Sequence, residues 1–163
     1  MSIDRAWFLR GLGVVVVIVL AWGGFELTPG RRLDRTFDHL IRAVEKRDWE
    51  TVKQLMAEDY RDQWGMDRET AVSLGKDAFG QFLTLMITEE NRRRSISGKD
   101  AMIETRLRLT GRASMIGEMV MEKANALQND FQFAWKRKSW KPWDWKLVSI
   151  NQNELDINPS DLP

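Results

Sequence analysis

Few residues in this chain have side chains suited to chemistry. Among 163 residues there is one histidine, His39, one tyrosine, Tyr60, and no cysteine. The lack of cysteine excludes a thiolate nucleophile, a disulfide framework and cysteine-ligated zinc or iron–sulfur sites, and a single imidazole excludes sites built on two or three. Only all-oxygen metal sites would remain, and the sequence shows no cluster with ligand spacing, no phosphate-binding glycine loop and no hydrolase elbow. No metal, cofactor or catalytic residue is assigned on this basis. On a helical wheel His39 falls almost opposite the stripe Leu33, Phe37, Leu40, Ile41 and Val44, so it is expected to face solvent instead of serving as a buried base. Tyr60 and Trp64 join an aromatic body to a polar tip, which suits either core packing or the entrance of a pocket for small amphipathic ligands. Glu104 and Asp144 have Arg106 and Lys146 as same-face neighbours and read as surface ion pairs.

A second group of residues suits binding more than catalysis. Between Trp135 and Trp143, the bases Lys136, Arg137, Lys138 and Lys141 alternate with indoles. Single-strand nucleic-acid platforms, membrane-surface patches and solvated hairpin loops all share that composition. The whole chain has 25 basic and 24 acidic residues, a balance that argues against a dedicated nucleic-acid binder. A solvated loop needs the fewest assumptions, and contact with a membrane or partner comes next.

These side chains need elements to position them. Trp7 to Phe25 is apolar apart from Arg10, and its 19 residues would span about 28 Å as a helix, against a hydrocarbon core of about 30 Å. Trp7 and Trp22 would lie near the two interfaces. Residues 1–30 therefore read as a membrane anchor with its linker. The alternative is a secretory signal, with Ala21 and Gly23 offering small residues for cleavage. The layout favours a single-pass protein with an extracytoplasmic domain; secretion after cleavage and a cytoplasmic domain are the other placements. Residues 156–163 form an acidic tail containing proline.

Between these ends, periodicity predicts a helix carrying the Leu33 stripe after a Pro29-Gly30 break, then a second capped by Asp48. A third, opening at Asp67, has the stripe Ala71, Leu74, Gly75, Ala78, Phe82, Leu85 and Met86, where Gly75 marks a close approach by backbone, ligand or packing. Alternation from Ala101 to Thr110 predicts a strand, with Arg92 to Ser97 as its hairpin partner through Gly98. Arg92, Arg93 and Arg94 then guard an exposed edge. A short helix is expected over 113–128, burying Ile116, Met119, Val120, Ala124 and Leu127. Two closing strands place Phe131, Phe133 and Trp135 against Trp143, Trp145 and Leu147, with Trp135 opposite Trp145 and a five-residue loop from Lys138 to Pro142. Val148 and Ile150 make the last strand apolar on both sides, as a central strand would be.

This order of elements, with the second helix running into Glu58-Asp59-Tyr60 and the chain closing on Trp143-Asp144-Trp145-Lys146-Leu147-Val148, resembles the nuclear transport factor 2-like superfamily over Leu33 to Leu155. That superfamily also includes the ketosteroid isomerases. The resemblance implies an α+β cone in residues 31–155, in which three helices pack on a curved antiparallel sheet around an apolar cavity; the extra helix at 113–128 departs from the simplest version of that fold and is expected to cover one mouth. Phe37, Tyr60, Trp64, Phe82, Phe133, Trp135 and Trp145 are the expected pocket residues. The pairing of a hydroxyl with a carboxylate inside the cone, as in the isomerases, is not reproduced by any motif in the sequence. The first functional reading is thus a membrane-tethered, non-enzymatic module that binds a small apolar ligand or a protein. An acid–base isomerase or dehydratase using Tyr60 and an unidentified carboxylate is the alternative. A homodimer built on the row Glu104, Arg106 and Arg108 is a third.

Overall fold

The computed structural model describes residues 29–141 and 143–155. The apolar segment 7–25 and the acidic tail 156–163 lie outside them. Among the described residues no helix is long and apolar enough to cross a membrane.

Helix α1 (Pro29–Lys46) includes the two residues read as a break. Proline is tolerated in a first helical turn, where its missing N–H would have no intrahelical partner. The predicted stripe is the one that packs inward: Leu33, Phe37, Leu40 and Ile41 are buried, together with Ala43. Phe37 sets its edge against Phe133, with ring centroids 4.9 Å apart, and against Trp135 at 6.3 Å. A buried aromatic of this kind contributes roughly 1.5 to 3 kcal/mol of transfer free energy. Helices α2 (Trp49–Leu55) and α3 (Arg68–Gly80) begin where the aspartates predicted. Asp48 accepts from the Thr51 backbone at 3.1 Å and Asp67 from that of Thr70 at 2.9 Å. Bonds from these threonines hold both carboxyls below the usual carboxylate range.

α3 ends at Gly80, and the residues read as its last turns open a long strand, β1 (Phe82–Ser97). Phe82, Leu85 and Met86 fit a helical stripe by spacing, but the β-branched Thr84, Ile87 and Thr88 interleaved with them favour a pleated strand. β1 turns through Gly98 (φ 63°) into β2 (Asp100–Ala113), as the hairpin reading required. The pairing is irregular between Phe82 and Thr84 and between Glu90 and Arg93, which bends this edge of the sheet. The sheet order is β1-β2-β3-β4, antiparallel throughout, with β3 spanning Phe131–Arg137 and β4 Trp145–Asn151.

Two expectations about the sheet are corrected. Trp135 pairs with Leu147, not Trp145, in a ladder that is irregular between Ala134 and Trp135; Trp145 faces Arg137, and the connection runs over 138–144. Trp143 therefore precedes the strand and is half exposed. β4 is also an edge strand, and that edge is covered by chain laid along it: Ala57 donates its backbone N–H to the Leu147 carbonyl at 2.8 Å, and Arg61 to that of Val148 at 3.0 Å. The three arginines of β1 do lie on an edge strand, and they are also engaged there. Arg92 binds Asp38 and Glu89, each at 2.6 Å, and lies 4.9 Å from the Phe37 ring; Arg93 reaches Asp130 at 3.0 Å; Arg94 pairs with Asp34. Burial opposes the Arg92 charge, but its two carboxylates outweigh burial and raise its pKa.

The additional helix, α4 (Met115–Ala126), is present, and Val120, Ala124 and Leu127 pack inward as expected, but the rest of the predicted face does not. Ile116 and Met119 are exposed, and the buried contact is made at Gly117, where an added Cβ would lie 2.6 Å from the Cβ of Ala113 and 3.0 Å from the Gln81 carbonyl oxygen. A small surface that permits close approach has set the face here, in place of the larger apolar side chains.

Candidate functional site

α1, α2, α3, the sheet and α4 line a half-open cavity of about 420 Å³. Its wall is aliphatic and aromatic. Leu40, Ile41 and Val44 come from α1, Trp49 and Val52 from α2, Ala71, Val72, Gly75 and Phe79 from α3, and Ile87, Leu107, Leu109, Phe133 and Ile150 from the sheet. Val120 and Ala124 of α4 close one side, as a helix across a mouth of the cone should. The close approach at Gly75 is ring packing, since a Cβ there would sit 3.1 Å from the Trp49 ring, which itself stacks on Phe79 at 6.3 Å.

Two charged-type side chains, an acid and a base, line this wall at opposite depths: Asp62, which is 6% exposed, and Lys123, which is open to solvent and so marks the rim. Asp62 belongs to the loop between α2 and α3. Its Oδ1 accepts the backbone N–H of Trp64 at 3.0 Å and of Met66 at 2.9 Å, which folds the loop around the carboxyl. Its Oδ2 accepts the Tyr60 hydroxyl at 3.4 Å. Burial raises the Asp62 pKa against the lowering effect of these donors, and burial next to the carboxylate pushes the Tyr60 phenol up strongly. The chain thus places a phenol and a carboxylate side by side in an apolar cavity.

The expected pocket residues divide. Tyr60, Trp64 and Phe133 line the cavity. Phe37, Phe82 and Trp135 lie in the packed core, and Trp145 is also buried there while contributing to a separate outer groove beside Arg32, His39 and Lys146. His39 is exposed, as its wheel position requires. Lys136 and Lys141 are exposed, Lys138 pairs with Asp59 at 2.7 Å, and the Arg137 guanidinium lies 5.7 Å from the Trp145 ring. Glu104 binds Arg93 at 3.5 Å and Gln132 at 3.1 Å, so it is engaged in surface pairing. Among the described residues no group of three or more potential metal ligands occurs. Sequence reasoning missed Asp62. The Asp62-x-x-Gly65 turn signal marks the loop but not the direction in which its carboxyl points.

The described residues have the nuclear transport factor 2-like fold. A putative dehydratase of the NTF2-like family from Streptomyces avermitilis superposes with a TM-score of 0.56 at 11% identity, over 75% of this chain and 93% of that one. An NTF2-like protein from Cytophaga hutchinsonii gives 0.51 at 15% identity, over 74% and 94%. Bd1075 of Bdellovibrio bacteriovorus gives 0.55 at 12% identity over 74% of this chain, which spans only 38% of that protein. At such identities the likeness is one of fold. No family model and no curated protein matches the sequence.

Proposed function

We propose that this domain is a membrane-tethered receptor that holds a small, largely apolar molecule inside the cone. The observation that carries the reading is the cavity itself. Its volume of about 420 Å³ falls in the range of roughly 300 to 1,000 Å³ typical of ligand sites, and an apolar wall with few convergent polar groups is the usual composition of such sites. Tyr60 and Asp62 would orient a hydroxyl or carbonyl at the buried end, and Lys123 would meet an acidic or polar head at the rim. The segment 7–25 supplies the tether. Native mass spectrometry of the full chain released from detergent tests this: a bound small molecule that is lost when the cavity is filled supports it, and an empty cavity that also rejects apolar fluorophores overturns it.

The Tyr60–Asp62 pair favours a second reading, acid–base catalysis on such a ligand. One structural neighbour is itself described as a putative dehydratase. In this reading the Asp62 carboxylate takes a proton from a carbon next to a carbonyl, and the Tyr60 hydroxyl, hydrogen-bonded to the same carboxylate, helps orient the substrate. Asp62→Asn separates the two readings, because it would abolish turnover in an enzyme and leave a receptor able to bind.

A further inference from the structure

One end of the domain carries a surface that the cavity does not account for. Three chain segments meet there. The β1–β2 turn is joined to the end of β3 by the Arg137 N–H donating to the Lys99 carbonyl at 2.7 Å. The 138–144 connection follows directly, and α1 arrives with the Arg32 guanidinium 6.0 Å from the Trp143 ring. Gly30 packs against the guanidinium of Arg94. At this end Trp140 is 82% exposed, Trp143 50% and Ile96 38%, with Lys99, Lys136 and Lys141 open to solvent among them. The acids nearby are partly spent: Asp34 is taken by Arg94 and Asp59 by Lys138, leaving Asp100 and Asp144.

We infer that this end rests on an anionic bilayer, with Trp140 and Trp143 in the headgroup layer and the lysines against lipid phosphates. The inference relies on reading 7–25 as a membrane segment. Only Glu26, Leu27 and Thr28 separate Phe25 from the first residue of α1, so the helix begins within about 15 Å of the segment's end. Attraction to an anionic leaflet decays over about 8 to 10 Å at physiological salt, so bases at this end fall within its reach and those at the α4 end do not. Exposed indoles beside lysines are the residues that favour the interface. A groove of about 380 Å³ lined by Arg32, Arg35, Trp143 and Lys146 continues the surface with the same chemistry.

The absence of native cysteine allows a direct test on the full chain in lipid nanodiscs. A spin label at Ser97→Cys reports the β1–β2 turn, and one at Glu118→Cys on α4 reports the opposite end of the 14-residue strand β2. In bilayers with about a third phosphatidylglycerol, the label at position 97 should show the accessibility to oxygen and a nickel chelate expected in the headgroup layer, and the label at 118 should not. Replacing Lys99, Lys136 and Lys141 together by alanine, or using zwitterionic lipid, should lower the docked population severalfold, and Trp140→Ala with Trp143→Ala should lower it in either lipid. If the chain stays with the bilayer through alkaline extraction but label 97 is as water-accessible as label 118, docking is overturned and the tether stands. Release of the chain at that step overturns the tether, and docking with it.

Discussion

Tyr60 and Asp62, two residues apart, meet through the phenol hydroxyl and carboxylate Oδ2 at 3.4 Å within an apolar cavity. The loop that brings them together is held by Oδ1 of the same carboxyl, so one oxygen of Asp62 builds the loop and the other faces the phenol.

That division of labour predicts different outcomes for two substitutions of Asp62. Asparagine keeps an oxygen for the N–H groups of Trp64 and Met66, whereas alanine leaves both without a side-chain partner. Asp62→Ala should therefore cost about 2 kcal/mol or more, the usual penalty for unsatisfied buried donors. The pH dependence of Asp62→Asn has a definite sign. Burial raises the folded-state pKa above the ordinary 3.8, so the native contribution of Asp62 is complete below that pH and is lost as pH rises through the folded value. Asparagine does not titrate. Its stability relative to the natural protein should rise from about pH 4 toward neutrality and converge in acid, as urea melts across pH would show; a gain largest in acid would contradict the argument.

Tyr60→Phe removes one of the donors that favour the charged carboxyl. The Asp62 pKa should then move further up, since losing a hydrogen bond to the ionised form raises it. Carbon-detected NMR titration of the Asp62 carboxyl reads this directly, and a downward shift would mean the phenol is not its donor.

The parts of this structure legible in the sequence are those in which one face decides. Leu33, Phe37, Leu40 and Ile41 have a single buried side, and a period of 3.6 shows it. Ser97-Gly98-Lys99-Asp100 shows a turn because Gly98 takes positive φ without strain. Phe82, Leu85 and Met86 satisfy both a helical and a strand spacing, so spacing alone cannot end α3 at Gly80. The partner of Trp135 depends on a local ladder irregularity, and the buried face of α4 on how closely Gly117 approaches Gln81; neither leaves a periodic trace. Asp62 was hidden for a related reason. Its place in the cavity is set by the path of 56–61 along β4, a tertiary relationship with no repeat in the sequence.

Gly111 tests whether the bend at this edge is structural. Its φ is 155°, and an added Cβ would fall inside the van der Waals shell of the Thr84 carbonyl oxygen. That oxygen belongs to the backbone next to the irregular pairing between Phe82 and Thr84, so it cannot swing aside as a side chain would. Gly111→Ala should cost about 2 kcal/mol or more by steric strain, measured by chemical denaturation. A neutral result would show that β1 and β2 can separate locally without loss.

Lys123 is the cation of the cavity wall and lies at its rim. For a ligand with an acidic head, Lys123→Gln should weaken binding by roughly three- to fivefold, the effect of one solvent-screened ion pair. A dansylated fatty acid and its methyl ester make the comparison within one fluorescence titration. The acid should lose affinity in the variant and the ester should not. Equal loss for both would move Lys123 from recognising charge to merely shaping the rim.

Val120 offers a way to close the cavity without touching its polar pair. It is half buried on α4, lines the cavity and takes no part in Asp62's hydrogen bonds. Val120→Trp would push an indole into space now bounded by apolar side chains. In a packed core such an insertion costs roughly 1 to 3 kcal/mol through strain, whereas filling an apolar cavity recovers contacts and leaves stability unchanged or higher. The expected result is an unaltered or raised melting temperature with loss of apolar fluorophore binding and of any co-purified mass. Lower stability with binding retained would mean that the indole turned out to solvent or that the ligand sits elsewhere. Unchanged binding with unchanged stability would place the ligand site outside the cone.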